Sequence, residues 1–239
     1  MFTGFLSFGD AQRVSRLLAK LSDRGFRGGA LAGSVATEAH LLSRGYNTER
    51  RPLNDLDFVV ESFNSIPGSL ADGFLLHHIH PHASEGKLLL QLIDREQALR
   101  IDLFRQFGAT LTRTELLNGP AGRLKVISLE DVVARTTALV LGGLRRNKTV
   151  DRKHARAFRR AAGLGEPCGI DAAWRDHRES ELESFHQAAQ AAHELLELHP
   201  ELVTSEQHST QVSVCPGCQD DGPFRRARPD IIVKTLGYW

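Results

Sequence analysis

Three aspartates stand where this chain otherwise places apolar residues. In LNDLDFVV (53–60) and LRIDLF (99–104), Asp55, Asp57 and Asp102 interrupt runs that read as buried strands. A carboxylate is costly to desolvate unless a cation or hydrogen bonds compensate it. Successive strand residues point to opposite faces, so Asp55 and Asp57 share one face, about 7 Å apart along the strand. Leu56, Phe58 and Val60 then share the other, which suits a core. Asp102 repeats the pattern, with Ile101 and Leu103 turned away from it. Any fold for this chain must compensate these acids, with a cation or with hydrogen bonds, and the shared face suits a cation.

The surrounding pattern sets the framework. Val14, Leu17, Leu18 and Leu21 recur at helical spacing, a first helix that Gly25 ends. GGALAGS reads as a short strand and a Gly33-Ser34 turn, opening the helix VATEAHLLSRG that Gly45 closes. A polar loop, YNTERRPLN, leads to the strand Asp55–Val60. FLLHHIHPH, KLLLQLID and ALRIDLF read as further strands, the last two a hairpin around Arg95-Glu96, and RLKVI as one more. From Ser128 the period becomes helical. SLED resembles a capping box, with Ser128 as N-cap and Asp131 at the third helical position. A second helix spans about 151–162, and one long helix about 171–198, stopped by His199-Pro200; the last stretch reads as loop until a short terminal helix. The expected class is α/β (α+β): a mixed sheet flanked by helices over residues 1–127, a mainly helical domain over 128–200, and a loop-rich tail over 201–239.

Three carboxylates on adjacent strands can hold two divalent cations about 4 Å apart, the arrangement used for in-line phosphoryl or nucleotidyl transfer. A helix N-terminus offers unpaired N–H groups and partial positive charge to a phosphate. At Gly33-Ser34, glycine lets the backbone approach and the serine hydroxyl can donate a further hydrogen bond. A Gly-Ser turn opening a helix, Asp55-Leu56-Asp57 opening a strand and Asp102 in a later apolar strand resemble, over roughly residues 25–162, the nucleotidyltransferases of the DNA polymerase β superfamily. The tail beginning VISLEDVVARTTAL is similar to that of small bacterial members and of the abortive-infection toxin branch. The resemblance implies that Gly33 and Ser34 hold nucleotide phosphates, that Asp55 and Asp57 bridge two magnesium ions, and that Asp102 holds the catalytic metal and helps deprotonate the acceptor hydroxyl. It also implies an NTP as substrate and an acceptor that is RNA or tRNA, a protein or a small molecule. Two departures stand out. Twenty residues separate Ser34 from Asp55, more than the compact motif allows. Arg135 stands where many relatives carry a lysine that reaches the triphosphate.

Each feature has a plainer alternative. Asp102 could pair with Arg100 or Arg105. His78, His80 and His82 alternate onto one strand face, a candidate metal site that a polar face explains as well. Cys215 and Cys218 form half of a zinc knuckle; a second half would need Cys168, His208 or other ligands, and a surface turn with two inert thiols is the simpler reading. The run Arg145, Arg146, Lys148, Arg152, Lys153, Arg156, Arg159 and Arg160 is either a solvated face or an electrostatic platform for triphosphate or RNA. Two other functions share the pattern: a transferase-derived binding protein without catalysis, and an Asp-x-Asp phosphohydrolase, disfavoured because FVVES follows the acids. Net charge is +1, which argues against bulk nonspecific nucleic-acid binding. Three cysteines fit a reducing compartment. With no signal-like start and no apolar stretch near the roughly 20 residues of a membrane span, the expectation is a cytoplasmic protein without membrane contact.

Overall fold

Alternation builds one seven-stranded sheet, because each apolar stripe has a neighbour to cover it. The computed structural model describes residues 2–82, 86–119, 122–164, 167–178, 180–204, 223–228 and 230–231. The chain divides into two units, one of residues 1–106, 115–126 and 208–239 and one of residues 107–114 and 127–207.

In the first unit, α1 (Phe8–Asp23) starts where the Ser7 hydroxyl accepts from the Asp10 N–H, and it buries Ala11, Val14, Leu17 and Leu21. β1 (Ala30–Ala32) runs directly into α2 (Gly33–Ser43). β2 (Asp55–Val60) follows the arginine-rich loop, then β3 (Phe74–His82), β4 (Gly86–Asp94), β5 (Arg100–Arg105), β6 (Thr114–Gly119) and β7 (Gly122–Ile127). The sheet order is β3-β4-β5-β2-β1-β7-β6. Within it, β2 is parallel to β5 and β1 to β7, while β1 and β2, β3 and β4, and β4 and β5 are antiparallel. The mixed sheet flanked by helices is therefore as expected. Strand β6 was not: TELLNG has no clean alternation, and only Leu117 of it is buried. Leu56, Phe58, Val60, Ile101 and Leu103 are all buried, which confirms the apolar stripe opposite the aspartates.

The second unit is helical. α3 (Leu129–Arg145) begins at Ser128, whose hydroxyl accepts from the Asp131 N–H at 3.0 Å. The two-residue strands β8 (Val150–Asp151) and β9 (Val203–Thr204) pair in parallel. α4 (Arg152–Ala161) is capped by Asp151. The expected long helix is two, α5 (Pro167–His177) and α6 (Phe185–Leu198). Two hydrogen bonds span the break between them: the Asp171 carboxylate accepts from the Phe185 N–H, and the Trp174 indole donates to the Leu182 carbonyl. Trp174, Phe158, Leu141 and Ala192 centre this unit's core. Residues 107–114 join it through Arg113, whose guanidinium donates to Asp131 at 3.0 and 2.7 Å and to Asp176 at 2.7 Å. No helix among the described residues is long and apolar enough to cross a membrane.

Candidate active site

Strand register assembles the acids. Asp57 on β2 lies directly opposite Asp102 on its parallel neighbour β5, and Asp55 lies opposite Arg100. Partnered residues on adjacent strands sit about 5 Å apart and point to the same face, so Asp55, Asp57, Arg100 and Asp102 share one patch. The Asp102 carboxylate accepts from the Gln91 amide of β4 at 3.0 Å. On the other side of β2, Asp57 is opposite Ala32, the last residue before α2.

That neighbour explains Gly33. Its φ is +62°, and a Cβ there would meet the Asp57 carboxylate, 1.8 Å from Oδ2 and 2.6 Å from Cγ. Only glycine lets the start of α2 lie against this acid. The N-cap, Ala32, makes no side-chain hydrogen bond to the first turn of α2. Ser34 follows on that turn, half-buried.

The cation is present, and it is an arginine. Arg100 donates through Nη2 to Asp55 in a short hydrogen bond, and its Nε lies 3.0 Å from Asp102 Oδ1. The second contact is an ion pair only, since its angle leaves Nε without a hydrogen-bond partner. Burial lowers the proton affinity of this guanidinium, but Asp102, Asp55 and Asp57 outweigh it and its pKa ends raised. The plainer reading of Asp102 is thus met in part: it pairs with Arg100, yet remains beside Asp57.

Three further residues complete the patch. Arg51 is pulled down in pKa by burial, against the opposing pull of Asp55, Glu38 and Asp57. Glu38, 5% exposed on α2, is thus a fourth acid near the site. His77 falls between Leu76, paired with Leu92, and His78, paired with Gln91, so it is the extra residue of a β-bulge. Bulges re-aim side chains, often beside functional sites. Burial, then Arg100 and His78, push His77 down to about 4, so it is neutral near pH 7, and its buried Nδ1 has no hydrogen-bond partner. The two arginines preceding the acid strand were a legible signal for Arg51; the bulge left none in the sequence.

The donor set suits a hard divalent cation. All four acids offer carboxylate oxygens, as magnesium prefers, and four carboxylates against two guanidiniums leave an excess of negative charge. Among the described residues, however, no three histidine, cysteine, aspartate or glutamate groups are gathered as a metal cage as they stand; Arg100 supplies the compensating charge between Asp55 and Asp102. Arg135 belongs to α3 of the second unit, where its guanidinium lies 4.6 Å from the Phe107 ring centroid. His78 is half-buried on β3, while the side chains of His80 and His82 lie outside the described residues. So do Cys215, Cys218, His208 and the side chain of Cys168.

Compared with known proteins, the chain matches no family model and no curated protein. Among solved structures it is similar to an antigenic nucleotidyltransferase-like protein from Paracoccidioides brasiliensis, with 18% identity and a TM-score of 0.43 over 82% of this chain and 92% of that one. It is also similar to JHP933 from Helicobacter pylori, with 13% identity and a TM-score of 0.33 over 82% and 94%.

Proposed function

We propose that the chain is a metal-dependent nucleotidyltransferase that moves an NMP from an NTP to an acceptor and releases pyrophosphate. The observation that carries this reading is the register of β2 and β5, which sets Asp57 beside Asp102 while the backbone of Gly33 lies against Asp57. Phosphate-binding backbone and acid patch are thereby neighbours. Asp55, Asp57 and Asp102 would hold magnesium, which when bound neutralises phosphate charge and lowers the pKa of a coordinated acceptor oxygen. The N–H groups of the first turn of α2, with the Ser34 hydroxyl, orient the triphosphate. The acceptor oxygen attacks the α-phosphorus, the bond to the bridging oxygen breaks, and pyrophosphate departs; Asp102 takes the acceptor proton. Catalysis rests on positioning and charge neutralisation, without a covalent enzyme intermediate.

A second reading, nucleotide binding without transfer, is favoured by one observation: Arg100 already pairs with two of the three acids. Incubation with each α-labelled NTP, magnesium and cell extract separates the two. Transfer requires magnesium-dependent pyrophosphate release and a labelled acceptor, both abolished in Asp57→Asn. Nucleotide retained with no pyrophosphate released supports the binder. A full-rate Asp57→Asn protein removes the two-metal assignment.

A further inference from the structure

We propose that the basic surface of the second unit, formed by the end of α3 and the outward face of α4, binds the phosphate backbone of a single-stranded nucleic acid. Eight of the chain's 30 lysines and arginines fall between Arg145 and Arg160, against one acid, Asp151. That acid is committed to the helix: it accepts from the Lys153 N–H at 2.8 Å and lies 3.5 Å from Lys153 Nζ. α4 buries Ala155, Phe158 and Ala161 and turns Arg152, Lys153, Arg156 and Arg159 to solvent.

Along α4 itself this spacing is unfavourable. Arg152 with Arg156, and Arg156 with Arg160, are like charges at i,i+4, and Lys153 with Arg156, and Arg156 with Arg159, are like charges at i,i+3; such pairs destabilise a helix. Ten residues are too few for α4 to form without its packing. A face selected only for stability or solubility would intersperse acids. A polyanion turns the same repulsion into attraction, through charge neutralisation and counterion release.

A groove of about 710 Å³ adjoins the run and gives it chemistry beyond charge. Arg145, Arg146 and Arg178 line it, with Ser180, Glu181 and Glu183. The Ser180 Oγ is buried without a hydrogen-bond partner. The guanidiniums and this hydroxyl match phosphate oxygens. The glutamates can accept from the amino groups of unpaired bases, donors that a free phosphate does not carry. Groove and stripe belong to the second unit and use none of the four acids described above, so the surface stands or falls independently of nucleotidyl transfer.

The test is fluorescence anisotropy of the full chain with a fluorescein-labelled 20-nucleotide single-stranded RNA of mixed sequence, the matching DNA strand and the matching DNA duplex, between 50 and 200 mM KCl. Both single strands should bind more tightly than the duplex, with affinity falling steeply as salt rises. In R152Q/K153Q/R156Q/R159Q the log–log salt slope should shrink by about 2–3, since each lost phosphate contact removes about 0.7 on a single strand, and affinity at 100 mM should fall at least tenfold. R16Q/R27Q/R95Q, which removes exposed cations of the first unit, should leave the slope as it is. Urea midpoints of all variants establish that each is folded. Absent binding at 50 mM KCl, tighter binding of the duplex, or equal loss from both sets of substitutions overturns the proposal.

Discussion

Replacing Gly33 with alanine should strike the fold and the acid patch at once, and two controls separate the causes. The first cost is backbone strain. A side chain at φ +62° sits in the left-handed region, which disfavours L-residues by about 1–2 kcal/mol. The second is collision. The new Cβ would lie 1.8 Å from Asp57 Oδ2, 2.6 Å from Cγ and 2.9 Å from Cβ. A rotamer change clears the oxygen but not the Asp57 Cβ, so β1 and β2 must part locally, an overpacking cost of about 1–3 kcal/mol. Together the loss is about 2–5 kcal/mol, a large share of an ordinary domain's stability. Gly45 calibrates the strain alone, since it has φ +76° and nothing within 4 Å of a built Cβ; Gly45→Ala should cost only about 1–2 kcal/mol. The double variant G33A/D57G should recover about 1–2 kcal/mol relative to the sum of its single changes, because both the carboxylate and the Cβ that collide are gone. Urea titration at unchanged m-value measures the four variants G33A, G45A, D57G and G33A/D57G, and the proposed nucleotidyl transfer should drop at least about a hundredfold in G33A because Asp57 is displaced. If G33A costs no more than G45A, or if removing the whole Asp57 side chain brings no recovery, the close approach of α2 to the acid strand is wrong.

Other expectations follow from the buried charges. Asp131 is fully buried and accepts from Ser128 Oγ at 2.7 Å, from Arg113, and pairs with His177 Nε2 at 3.0 Å; Asp131→Ala should destabilise the second unit by about 3–5 kcal/mol, because Arg113 loses its buried partner, and thermal unfolding of the variant checks this. Burial raises the Asp131 carboxyl, but His177, Arg113 and Ser128 overcome it and hold it down to about 2. Its folded pKa is thus below its unfolded value of about 4, so its stabilisation is full above pH 4 and disappears as pH falls toward 2. His77 adds a separate window in the first unit: with a folded value of about 4 against about 6.5 unfolded, the unfolded chain binds the extra proton between those limits. Stability should therefore decline by about 2 kcal/mol from pH 6.5 to 4, after discounting for the ring's partial exposure, and His77→Gln should flatten that decline in urea midpoints read against pH. Finally, Arg100→Gln removes the cation held by Asp55 and Asp102; it should lower stability at neutral pH, and added millimolar magnesium should restore more of the thermal midpoint than it adds to the wild type.

Much of the local structure was legible, because its causes are local. The strand Asp55–Val60 was readable to the residue, since a period of two and a flanking loop are written in eight letters. Ser128 as N-cap was equally readable, although the reciprocal bond differs: Asp131 accepts from the serine hydroxyl and turns its remaining capacity to Arg113 and His177. The long helix failed for the same reason that the strands succeeded. The apolar stripe through Leu182 and Phe185 keeps its period across a break that is spanned by hydrogen bonds of Asp171 and Trp174, and those partners lie 14 and 8 residues away.

The sequence by itself determined which face each aspartate takes, where the glycine-led helix begins and how densely cations gather between residues 145 and 160. These depend on neighbours a few positions apart, where backbone geometry leaves little choice. Only the tertiary structure decided that β2 lies parallel to β5 in the register that sets Asp57 beside Asp102. It alone lodged Arg100 between two acids, turned His77 into a bulge and drew Glu38 and Arg51 toward the patch. Strand pairing and burial join residues more than forty positions apart, and side-chain periodicity carries no record of which partner a strand will find.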